Sequence, residues 1–101
     1  MQGKEVAEQC GKFMKKGSFE LGGSDSFIVL EDADIDLAVQ KAVEGRLHTN
    51  GQACNNSKRF MIHKNIYDTF KQRLFEAIDA YTKIGDPTDL ETTLGPMINK
   101  K

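Results

Sequence analysis

Phe27-Ile28-Val29-Leu30-Glu31-Asp32-Ala33-Asp34 is the stretch whose reading decides the fold. Four consecutive apolar residues, two of them β-branched, favour a buried strand in a parallel sheet covered by helices. The acidic turn that follows places Asp32 or Asp34 to cap a helix. Ile35, Ala38, Val39, Ala42, Val43 and Leu47 then recur on one helical face. That helix should end near Thr49-Asn50-Gly51.

Working outward, Arg59-Phe60-Met61-Ile62-His63 reads as another strand. Asn65 is placed to cap a helix over 66–83, with Tyr67, Phe70, Leu74, Ala77, Ile78 and Tyr81 as its stripe. Gly85-Asp86-Pro87 stops it, and 85–101 reads as a loop. Towards the N-terminus, residues 4–16 read as a helix with Val6, Ala7, Cys10, Phe13 and Met14 on one face. Lys15 and Lys16 suit its last turn, and Gly17 suits its stop. A short extended piece at 18–21 is broken by Gly22-Gly23. The order α-β-β-α-β-α, with parallel-type strands covered by helices, implies an α/β layered fold.

Composition narrows the function. The 101 residues carry 14 Lys+Arg against 15 Asp+Glu, a net charge of −1 with no basic stripe, so a nucleic-acid partner is not expected. No run of eighteen apolar residues exists and the first six residues contain no apolar core, so neither a membrane span nor a signal peptide is expected. Two cysteines make no disulfide scaffold and point to free thiols in a reducing cytoplasm. No CxxC, HxxxH or HExxH spacing suggests a metal site.

Two islands carry possible chemistry. The first is Asn50-Gly51-Gln52-Ala53-Cys54-Asn55-Asn56-Ser57-Lys58-Arg59, a cysteine among small and amide-bearing residues between a helix end and a strand start. Such a thiol can be partly exposed, with room for a substrate and backbone N–H groups near a developing oxyanion. The plain alternative is an inert, small, buried residue. The second island is Phe19-Glu20-Leu21-Gly22-Gly23-Ser24-Asp25. Glycines permit close backbone approach, and a carboxylate desolvated on this apolar piece would suit a general base. The plain alternative is a strand-end carboxylate pointing into water. Cys10 lies in the helical stripe and reads as core.

Together the islands resemble the aldehyde dehydrogenase superfamily. Glu20-Leu21-Gly22-Gly23 looks like its glutamate motif and Gly51-Gln52-Ala53-Cys54 like its nucleophile motif, in that order and 34 residues apart. Phe27 to Asp34, Gly85-Asp86-Pro87 and Leu94-Gly95-Pro96-Met97 resemble the segments around them. Residues 3 to about 99 are covered, and the bacterial succinate-semialdehyde dehydrogenases are the nearest branch in flavour. Gly17 and Ser18 depart from the family's β-branched strand residues, and Ser26 from its usual proline.

The resemblance implies a fragment of the aldehyde dehydrogenase fold. Residues 1–23 would be the last helix and strand of a cofactor-binding domain, and residues 24–101 the N-terminal part of a catalytic domain. It implies oxidation of a small-molecule aldehyde with NAD or NADP, Cys54 as nucleophile and Glu20 as general base. Gly3, Leu21 and Gly22 would line the cofactor, which the isolated fragment is not expected to bind. The parent enzyme would be a homodimer or homotetramer. A different class of reading is a truncated structural module without catalysis, self-associating through strand edges. Thiol redox work by Cys54 is disfavoured because no resolving cysteine lies nearby.

Overall fold

The computed structural model describes residues 2–100. Helix α1 spans Gln2–Lys12, strand β1 Asp25–Val29 and helix α2 Ile35–Leu47. A 3-10 turn, His48–Gly51, leads to strand β2, Ser57–Ile62, and helix α3 closes the order at Tyr67–Tyr81.

β1 and β2 pair in parallel, joined through α2, with Phe27 opposite Phe60 and Val29 opposite Ile62. The Phe27 and Phe60 rings pack with centroids 5.5 Å apart. Asp34, rather than Asp32, caps α2: its Oδ1 accepts the Leu37 N–H at 3.1 Å. The core is Val29, Val39, Ala42, Val43, Phe70 and Leu74, with α2 and α3 laid over one sheet face. The predicted stripes of both helices supply most of it. The other sheet face keeps Ile28 and Met61 exposed.

The N-terminal third departs from expectation. α1 ends at Lys12, not at residue 16. Met14 takes the left-handed conformation (φ 51°) usually left to glycine. The Lys15 N–H then bonds the Cys10 carbonyl at 2.8 Å, and the Met14 N–H bonds that of Gly11 at 3.2 Å, which closes the helix before Gly17 is reached. Residues 15–24 hold no regular structure, because a strand exists only as part of a ladder and 18–21 find none among the described residues. The α1 stripe leaves Val6, Phe13 and Met14 exposed, and Cys10 is half-buried rather than core.

α3 is shorter than 66–83. Asn65 does not cap it, because its Nδ2 donates instead to Glu31 Oε2 at 2.8 Å, and Ile66 holds the cap position without a side-chain bond. After Tyr81 the chain forms a loop closed by a bridge between Ile84 and Leu94.

Every residue of the core cluster, and every apolar residue packed on it, lies between positions 27 and 78. The radius of gyration is 17.9 Å, whereas a compact chain of 100 residues has about 13 Å. α1 and the segment after it therefore stand out from the packed unit. No helix of the described residues is long and apolar enough to cross a membrane.

Candidate active site

Cys54 sits on the turn between the 3-10 helix and β2. Three successive left-handed residues, Thr49, Asn50 and Gly51 (φ 52°, 56° and 71°), swing the chain out of α2. Glycine and asparagine accept that region readily, but a β-branched threonine is strained there. Surrounding structure must hold it, and Asn56 supplies much of the hold. Only 2 % of Asn56 is exposed. Its Nδ2 donates to the carbonyls of Gly45 (3.1 Å) and His48 (3.0 Å), and its Oδ1 accepts from the Ala53 N–H. The turn carrying Cys54 is thus fixed to the last turn of α2 by one buried amide whose bonds offset its burial.

On this turn Cys54 is exposed and its thiol is free. The buried alternative does not describe it. The opposite wall comes from the segment between α1 and β1. Glu20, Leu21 and Gly22 lie there, and Gly3 stands behind them in the first turn of α1. A β-carbon at Gly3 would approach Leu21 Cδ2 to 2.6 Å, so the absence of a side chain lets Leu21 pack over the helix start. Gly23 makes the closest approach: a β-carbon there would lie 2.4 Å from the Cys54 carbonyl oxygen. Gly22 faces open space, with nothing within 4 Å of its β-position.

All five residues singled out in the sequence, Gly3, Glu20, Leu21, Gly22 and Cys54, line one cavity of about 560 Å³. Lys4 and Lys58, which sequence reasoning did not single out, line it too. The desolvation expected for Glu20 is absent. Its carboxylate is exposed, because the apolar residues beside it, Phe19 and Leu21, are themselves exposed. The loop after α3 also reaches this turn. The Ile98 N–H donates to Gln52 Oε1 at 3.0 Å, and Asn50 Nδ2 donates to the Pro96 carbonyl at 3.4 Å. Among the described residues no cluster of three His, Cys, Asp or Glu side chains converges as a metal site would require. The chemistry available is that of a solvent-accessible thiol and a carboxylate facing one hollow large enough for a small molecule.

Comparison with known proteins places this geometry in context. Residues 1–101 match the family described as the aldehyde dehydrogenase family. A succinate semialdehyde dehydrogenase of the NAD(P)+ type from Escherichia coli K12 is 50% identical over 95 residues, 94% of this chain and 20% of its own length. An NADP(+) succinate-semialdehyde dehydrogenase from Mycobacterium avium strain 104 is 48% identical over 95 residues, with the same coverage of 94% and 20%. Among solved structures, lactaldehyde dehydrogenase from Escherichia coli superposes with a TM-score of 0.87 at 38% identity, over 97% of this chain and 20% of that one. Succinate-semialdehyde dehydrogenase from Burkholderia pseudomallei superposes at 0.84 with 40% identity and the same coverage. The chain spans about one-fifth of the length of each relative.

Proposed function

Because this chain belongs to the aldehyde dehydrogenase family, we propose that it forms the reactive-cysteine segment of an NAD(P)-dependent enzyme that oxidises an aldehyde to a carboxylic acid. The substrate class is a short aldehyde of the succinate-semialdehyde type, the activity named for the relatives at 48% and 50% identity. One observation carries the reading: Cys54 and Glu20 line the same cavity.

In this mechanism the sulfur of Cys54, as thiolate, attacks the aldehyde carbon and forms a thiohemiacetal. The Cys54 backbone N–H faces the oxygen that becomes negative. When bound, the nicotinamide cofactor supplies the hydride acceptor that the oxidation requires. Glu20 takes a proton from the water that attacks the resulting thioester of Cys54. The C–S bond breaks, the acid leaves, and the thiol is regenerated. Solvent access at Glu20 suits it to activating water.

The described residues fit one wall of a cofactor site. Gly3, Leu21 and Gly22 line the cavity, and Gly22 leaves open space on it. Residues 1–23 supply that wall and 24–101 the thiol, a division supported by a core drawn wholly from the second part. Two free thiols suit a cytoplasmic setting.

The test is a transplant. These 101 residues replace the equivalent segment of the Escherichia coli relative, and oxidation of succinate semialdehyde is followed with NAD and NADP. Turnover that disappears in Cys54→Ala supports the reading. Turnover that survives Cys54→Ala removes it.

A second reading applies to a polypeptide of these residues alone. Exposed Val6, Phe13, Met14, Ile28 and Met61 favour self-association without turnover. Sedimentation as a clean monomer would contradict it.

A further inference from the structure

We propose that Lys58 is a positioning residue that fastens the two reactive islands to each other. The parallel ladder slips at its start: Asp25 pairs with Ser57, but Ser26 pairs with Arg59. Lys58 is the residue left over, a bulge in β2. Bulges bend a strand and redirect a side chain, and they recur beside active sites. Here the bulge sends Lys58 back across the start of the sheet. Its Nζ donates to the Gly23 carbonyl at 2.7 Å and to the Ala53 and Cys54 carbonyls at 3.1 Å each. An ammonium has three protons to donate, and all three are spent on carbonyls of the two islands.

The neighbouring features agree. Arg59 Nε donates to the Ser24 carbonyl at 3.0 Å, a second tie between the same segments. Gly23, lacking a side chain, lets the Cys54 carbonyl come close enough for one ammonium to reach both. Core packing contributes nothing to this junction, since the core holds no residue from 15–24 or from 52–56. Lys58 therefore sets the gap between Glu20 and Cys54 by tying the backbone at Gly23, three residues past Glu20, to that of Ala53 and Cys54, and takes no part in bond making.

The importance of that gap rests on the reading of Cys54 and Glu20 as a reactive pair, but its test does not. In a Cys10→Ser, Gly22→Cys chain the two thiols, at 22 and 54, face one cavity, and position 22 has room for a side chain. A short bismaleimide reacts once, then closes or fails to close across the cavity. The ratio of cross-link to single adduct, read by mass spectrometry, gives the effective concentration of one thiol at the other. Lys58→Met should lower it about ten-fold. Lys58→Arg, which keeps a charged donor, should restore most of it, with similar melting curves for both. An unchanged ratio in Lys58→Met, or an equal fall in Lys58→Arg, overturns the proposal. Because the ratio reads proximity and not turnover, it fails or holds separately from the transplant.

Discussion

The α-carbon of Gly23 lies so close to the Cys54 carbonyl that a β-carbon on it would stand 2.4 Å from that oxygen. Two islands separated by a strand, a helix and a turn in sequence are thereby in backbone contact. Glycine is required here for space, since only Gly51 among the glycines has a positive φ.

Gly23→Ala should therefore push the Cys54 turn aside at a cost of roughly 1–3 kcal/mol. Gly22→Ala, one residue away, meets nothing within 4 Å. It should be neutral or stabilising by about 0.4–1 kcal/mol through the unfolded state. Thermal melts of the two variants make the comparison. Equal melting points would show that the close approach does not constrain the fold.

Asn56 is expected to be the most sensitive polar position. Asn56→Ala strands the Ala53 N–H and the Gly45 and His48 carbonyls, and should cost about 2–4 kcal/mol. Asn56→Asp keeps the shape and the acceptor but turns an oxygen towards two carbonyls, so it should lose a similar amount at neutral pH. Urea titrations report both. A neutral Asn56→Asp would mean that the donated bonds to Gly45 and His48 carry no weight.

Asp86 supplies a pH test in the loop after α3. Its carboxylate is held below the usual aspartate range, first by the Thr88 backbone N–H at 2.8 Å and then by the Thr88 hydroxyl at 2.7 Å. A depressed folded value means that its contribution is complete above the unfolded value and is lost as pH falls through the folded one. An NMR titration should find the Asp86 midpoint below that of an unstructured aspartate, and Thr88→Ala should move it upward. A midpoint at or above the unstructured value would contradict this turn.

What the sequence disclosed follows from how local each signal is. Residues 27–29, the Asp34 cap and the stripe through Phe70 and Leu74 act over a few residues, so their strand and helices were legible. The burial expected of the whole apolar run fails at Ile28 and Leu30, which are exposed because helices cover only one sheet face. Cys54 among small residues left an exposed and a buried thiol both open, and only the folded turn shows it exposed. Asn65 looked like a cap because the sequence does not show that Glu31 lies within its reach. Met14 holds the left-handed helix stop although Gly17 offered an easier one. The roles of Asn56 and Lys58 depend on carbonyls 11 and 35 positions away, and Lys58 also depends on strand register, which a single chain does not display. Glu20 was expected to be desolvated because its neighbours are apolar, but burial is decided by what covers them.

The most direct measurement follows the fate of the sulfur. In the transplanted enzyme, Glu20→Gln should let Cys54 acylate and then stall, because no carboxylate activates the water. Mass spectrometry after a single turnover with succinate semialdehyde and cofactor should find the succinyl thioester on the Cys54 peptide, at far higher occupancy than with Glu20 intact. A Glu20→Gln enzyme that turns over normally, or an acyl group carried on any residue other than Cys54, would contradict the account.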